Sequence, residues 1–154
     1  DAARARWHLY GGAEPPPDSG PLVPAETVAP ETRAGWRFPA LAWLDDALAR
    51  FPAGTRLLLV LPPAHHATSP REGSVAAQRW AACKDAVAAL AKRRGAALID
   101  YARPSPITLR DDNYWDPLHF RLPIARRLEG EITSLAKGGP VQPDGAARVI
   151  VPAR

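Results

Sequence analysis

The sequence contains no methionine, a single cysteine and no long apolar run. Each absence removes a class of explanation. Without Met, position 1 is not a translation start, so the chain is expected to be a processed product or part of something longer. One thiol, Cys83, excludes an internal disulfide framework and a multi-cysteine zinc site. No stretch approaches the ~18 apolar residues of a membrane span and no signal peptide opens the given residues, though in a longer protein either element could lie upstream. Lysine is scarce as well, since 17 of the 20 basic residues are Arg. They are scattered, with no aromatic-interleaved basic stripe, so a solvated surface is expected and no nucleic-acid partner.

What is present fits one globular domain. The 154 residues suffice for one core and not comfortably for two, and the hydrophobic share of 46% is ordinary. The 18 prolines are about twice the usual usage of roughly 5% and punctuate loops and both tails. Residues 1–39 read as an irregular Pro-rich arm whose apolar anchors, Trp7, Leu9, Tyr10, Trp36 and Phe38, are expected to pack on a body.

From residue 40 the pattern becomes regular. Leu41, Leu44, Leu48 and Phe51 recur at helical spacing on one face, with Pro39 in the first turn. Leu57–Leu61 is a continuous apolar run halted by Pro62-Pro63, which suits a strand buried on both faces of a parallel sheet. "SPRE" at 69–72 has the form of a capping box, with Ser74 as a rival helix start. Trp80, Cys83, Val87 and Leu90 mark the buried face of that helix and Gly95 its C-terminal cap. "AALIDYA" reads as a second strand, and Ile124, Leu128, Ile132 and Leu135 mark a last helix. Residues 137–154 form a tail with a candidate edge strand at Val149–Val151. Helix, strand, helix, strand, loop, helix is the rhythm of an α/β fold, a parallel sheet flanked by helices.

In open parallel sheets, functional loops gather beyond the carboxyl ends of the strands. Two loops qualify here, "PPAHHATS" and "PSPITLRDDNYWDPLHF". On the first, His65 is expected to line a substrate cleft. Adjacent His65 and His66 diverge, and no second spaced ligand pair accompanies them, so no metal and no other cofactor is expected. On the second, Asp116 and His119 are the candidate catalytic pair, and Trp115 and Asn113 are candidate substrate contacts. Asp111, Asp112 and Asn113 also read as solvated turn formers, and Tyr114 and Trp115 as core or rim aromatics. A loop Asp that bonds its own backbone or caps the final helix, beside a half-buried His119, would explain Asp116 and His119 without chemistry.

Asp116-Pro117-Leu118-His119, just ahead of the last helix, resembles the final Asp-x-x-His block of the SGNH (GDSL-type) hydrolases. "LLLVLPP", the helix, "ALIDYA" and "YWDPLHF" look like the second half of such a domain over roughly residues 40–136, particularly of bacterial cell-envelope members. The resemblance implies an SGNH/flavodoxin-like α/β/α fold, incomplete at its N-terminal side. It implies an esterase or acyltransferase acting on O-acyl groups of envelope polysaccharide or on small esters, in the periplasm or cell envelope. His119 would be the general base and Asp116 its orienting carboxylate. The family's Gly-Asp-Ser block and its Gly-x-Asn-Asp block are both absent. Ser19 in "PDSG" follows three prolines rather than a strand. The nucleophile is therefore expected on a missing N-terminal segment of the same protein, which makes that segment a partner of this chain. The alternative is a non-catalytic SGNH-like domain that binds a glycan or a protein.

Overall fold

A computed structural model of the chain describes Leu9 and residues 24–153. Trp7, Tyr10 and Ser19, singled out above, lie outside the described residues. The described chain is mixed α/β. In chain order the elements are α1 (Pro30–Ala34), α2 (Ala40–Ala49), β1 (Leu58–Leu61), α3 (Val75–Arg94), β2 (Ala97–Asp100), α4 (Leu122–Ala136) and β3 (Arg148–Val151). The short α1 falls within the arm expected to be irregular; Pro30 at its first position presets the helical φ.

The sheet has three strands in the order β1-β2-β3. β1 and β2 run parallel, with Leu58 opposite Ala97 and Leu61 opposite Asp100, and α3 is the crossover between them. β3 adds antiparallel to the far side of β2, with an irregularity between Leu98 and Ile99. Strand alternation sends side chains to two faces. Ile99, Leu58 and Val60 join Ile124, Leu128 and Leu135 of α4 in one core. Leu98, Leu57, Leu59 and Leu61 join Val87, Ala88 and Ala91 of α3 and Leu41 of α2 in the other. Helices therefore cover both faces. Leu98 and Ile99 are fully buried, and burial of side chains this size is worth about 1.5–3 kcal/mol each.

The two apolar runs, alike in sequence, differ in place. All four residues of β2 are buried, whereas all four of β1 are only partly so. β1 is an edge strand among the described residues, because β2 is its one neighbour there. Ala97 N–H and Tyr101 N–H donate to the carbonyls of Leu57 and Leu61, so the backbone groups of Leu58 and Val60 face outward. The expectation of a strand buried on both faces is met in part: both faces join a core, and the side chains stay partly exposed at the sheet's edge.

Three local expectations also change. Ser74, not Ser69, caps α3; its Oγ accepts from Ala77 N–H at 3.1 Å. The arm explains this choice: Glu26 N–H donates to Gly73 O, and the Glu26 carboxylate accepts from Val75 N–H at the helix start. Gly73, at φ +75°, lies so close to Ala25 that a Cβ would sit 3.0 Å from its Cα, which fixes glycine there twice over. Phe51 falls beyond the end of α2 and is exposed, so it leaves the face that Leu41, Leu44 and Leu48 share. Trp80 is 41% exposed, its ring lying beneath the Lys84 ammonium rather than in the core. Among the described residues no helix is long and apolar enough to cross a membrane.

Candidate functional site

The loops that follow β1 and β2 meet at the carboxyl edge of the parallel pair. His65 N–H donates to Pro117 O at 2.9 Å and His66 N–H to Thr108 O at 2.8 Å, so the first loop is stitched to the second at two points. The second loop begins with a Ser105 turn, in which Ser105 Oγ accepts from Ile107 and Thr108 N–H. A 3-10 turn follows at Asp111–Asn113.

A small hairpin then carries the quoted Asp-x-x-His. Tyr114 and Phe120 pair as an antiparallel bridge, and Trp115 N–H donates to His119 O at 2.8 Å. The tip is Asp116-Pro117-Leu118. Asp116 Oδ1 accepts from the backbone N–H groups of Leu118 and His119 at 2.8 and 2.9 Å, closing the turn. Its other oxygen, Oδ2, lies 2.6 Å from His119 Nδ1. Asp116 thus bonds its own backbone with one oxygen and meets the imidazole with the other. It does not cap the last helix, whose N-cap is Arg121.

Protonation follows from these contacts. The Asp116 carboxyl is held below the usual carboxylate range, first by Leu118 N–H and then, against some desolvation, by the backbone and ring of His119. An ionised carboxylate only accepts, so Nδ1 is the donor and the neutral ring keeps its lone pair on Nε2. Among the described residues nothing hydrogen-bonds that Nε2, and the His119 side chain is 75% exposed. The arrangement can take a proton at Nε2 and support the resulting imidazolium through Asp116. His119 is open to solvent rather than half-buried.

His65 has the opposite character. It is 2% exposed, where lining a cleft had been expected. Its Nδ1 accepts from Ala67 N–H at 3.2 Å, so Nε2 carries the proton and donates to Asp111 Oδ1 at 3.1 Å. Burial pushes its pKa down, against the pull of Asp111. The ring meets Tyr114 edge-on, with centroids 5.2 Å apart. Asp111, read as a solvated turn former, is therefore a partner of a buried ring.

Asn113 points its amide into its own loop, donating to Ile107 O at 2.8 Å and Pro106 O at 3.2 Å. Trp115 is exposed beside the pair, with the Arg121 guanidinium 4.1 Å from its ring centroid. Arg121 also donates from Nε to Tyr114 O and from its backbone N–H to Asn113 O, which ties the hairpin to the start of α4. The sequence reading passed over Arg121; six residues past Trp115, it had only its place ahead of Leu-Pro at the helix start to mark it. Exposed Leu118 and Leu122 extend the apolar rim around His119.

Deeper in the sheet, Asp100 at the end of β2 receives Lys84 Nζ at 2.8 and 3.0 Å, and the same ammonium also donates to Ala102 O. Buried Glu131 accepts from Tyr101 Oη at 2.8 Å and from Arg127 Nε at 2.9 Å. These pairs lock helices to the sheet. Among the described residues no three His, Cys, Asp or Glu side chains come together to hold a metal ion. Compared with protein-family models, curated proteins and solved structures, the chain matches none of them.

Proposed function

We propose that this chain carries the base and orienting carboxylate of an SGNH-type acyl-transfer site, with its nucleophile serine on a further N-terminal segment of the same protein, beyond residues 1–154. The substrate class is an O-acylated carbohydrate, such as an envelope polysaccharide, or a small ester. One observation carries the reading. Asp116 grips Nδ1 of His119 at 2.6 Å and leaves Nε2 open, the state in which a serine hydroxyl would find its base.

Two further features support it. Of the four serines among the described residues, Ser74, Ser105 and Ser134 have hydroxyls engaged with backbone groups in their own turns, and Ser69 closes the 3-10 turn after His65, outside any Gly-Asp-Ser block. The outer edge of β1, unpaired among the described residues, precedes the loop that pins the hairpin, and an added parallel strand would bring its own carboxyl end to the same rim. In that arrangement the three-stranded sheet would be the second part of a larger flavodoxin-like sheet.

A second reading rests on the 75% exposure of His119: a base left in open water suits a domain that binds a glycan or protein through Trp115, Leu118 and Leu122 without chemistry. Hydrolysis of nitrophenyl acetate separates the two. Residues 1–154 alone should run near background. A longer form that carries a Gly-Asp-Ser block should hydrolyse the ester and lose that activity with His119→Ala. A longer form that is inert, or indifferent to His119→Ala, would favour the binding domain. Robust hydrolysis by residues 1–154, lost on Ser19→Ala, would contradict the separate-segment reading.

A further inference from the structure

The hairpin that presents Asp116 and His119 is short and projects into solvent, so something must set its attitude. His65 touches it at both ends. At the tip, His65 N–H holds Pro117 O at 2.9 Å, the carbonyl between the two residues of the pair. At the base, its ring packs edge-on against the fully buried Tyr114, which bridges to Phe120. A third hold comes through Nε2–H, which donates to Asp111 Oδ1 in the 3-10 turn leading into the hairpin. The ring itself is fixed from behind by Ala67 N–H on Nδ1. His65 directly follows Pro62-Pro63-Ala64 from β1, so the sheet reaches the hairpin through this residue, by its backbone N–H at the tip and its ring at the base.

We propose that His65 is a positioning residue for the Asp116–His119 pair: its buried ring fixes the hairpin in the attitude that keeps Asp116 on Nδ1 and Nε2 facing outward. The catalytic meaning of this role rests on the acyl-transfer reading; the positioning itself does not. The same side chain that would be expected to line a cleft acts from underneath.

Long-range ¹H–¹⁵N NMR of the histidine rings in the labelled chain tests this, because the two histidines are expected in opposite neutral tautomers. In the unmodified protein His119 should show Nδ1–H and His65 Nε2–H. In His65→Ala, the Nδ1–H form of His119 should fall from dominant to minor, while the methyl resonances of Leu98 and Ile99 keep their positions. His65→Gln, whose amide N–H can still reach Asp111, should restore it. Where His65→Ala does not fold, Asp111→Ala removes the same bond from the more exposed side and should produce the same change. In a longer form that carries the nucleophile, His65→Ala should lower kcat on the order of 10–10²-fold with KM unchanged, as a misplaced base does. A His119 tautomer unmoved in His65→Ala and Asp111→Ala would overturn the positioning role and leave the base assignment standing. A His119 lacking Nδ1–H in the unmodified protein would instead overturn the base assignment, whatever His65 does.

Discussion

Among the described residues two histidine–aspartate pairs stand on the loops that meet at one sheet edge, and they are built to opposite ends. His119 and Asp116 are three positions apart on one hairpin tip, 2.6 Å from each other and open to water. His65 and Asp111 are 46 positions apart on two loops, 3.1 Å from each other, with the ring almost wholly buried. In the first pair the proton sits on Nδ1 and Nε2 is available; in the second Nε2 donates and Nδ1 is consumed by Ala67 N–H. In the proposed reading the same two side chains serve as a base in one setting and as a fastening in the other. What decides is where the second nitrogen points, and backbone neighbours set that.

The largest effect that would sharpen this contrast concerns activity. In a form of the protein that holds the nucleophile, His119→Ala should lower the rate on the order of 10⁶-fold, since triad members act as a unit. Asp116→Asn should cost on the order of 10⁴-fold by releasing the tautomer. His119→Ala should not change unfolding free energy by more than about 0.5 kcal/mol in urea, as its side chain stands in solvent. Equal losses of activity on His65→Gln and His119→Ala would break the contrast.

Stability should show the reverse order. His65→Ala removes a buried ring and its contacts with Tyr114 and Asp111, for an expected loss of about 2–4 kcal/mol by urea denaturation. A loss no larger than that of His119→Ala would remove the fastening role.

The pH dependence of stability should divide the pairs next. Burial lowers the pKa of His65 from its ordinary 6.5, so below pH 6.5 the unfolded chain takes up the proton first. Stability should therefore fall as pH drops from 6.5 towards the folded-state pKa, and His65→Gln should flatten that slope. Asp116 behaves as the usual depressed carboxylate: its contribution is full above its ordinary 3.8 and lost as pH falls through the lower folded-state value. Urea titrations at a series of pH values in the two variants would show the separate windows. A slope near pH 6 unchanged by His65→Gln would contradict this assignment.

The smallest effect concerns Tyr114, which packs against His65. Its hydroxyl is buried with no hydrogen-bond partner among the described residues, and burial raises its pKa to about 12. Tyr114→Phe deletes an unsatisfied group and keeps the ring, so stability should be unchanged or higher by up to about 1 kcal/mol in thermal or urea melts.

How much of this was legible in the residues differs between the pairs for a physical reason. Asp116 and His119 lie within one turn's reach, and Pro117 narrows the loop between them, so their contact followed from local spacing. The crossover β1-α3-β2 was likewise visible, because apolar runs bounded by Pro and Gly report directly on buried strands and helix ends. His65 and Asp111 meet only because two loops end on the same sheet edge, and no local pattern encodes that. The edge position of β1 was hidden for a related cause: Leu58–Leu61 and Ala97–Asp100 carry the same kind of apolar run, and neighbours alone decide which is central. Ser74 beat Ser69 as the helix cap because Glu26, nearly fifty residues upstream, supplies the competing contacts. Short-range chemistry was readable; long-range company was not.

Carbethoxylation of the chain with diethyl pyrocarbonate, followed residue by residue by mass spectrometry, tests the central claim most directly, because the reagent acylates an unprotonated and accessible imidazole nitrogen. His119 should react far faster than His65, and Asp116→Asn should slow His119 severalfold by withdrawing the carboxylate that supports its charge. His65 reacting as fast as His119, or a His119 rate indifferent to Asp116→Asn, would contradict the account of one histidine kept open for chemistry and the other closed to hold it in place.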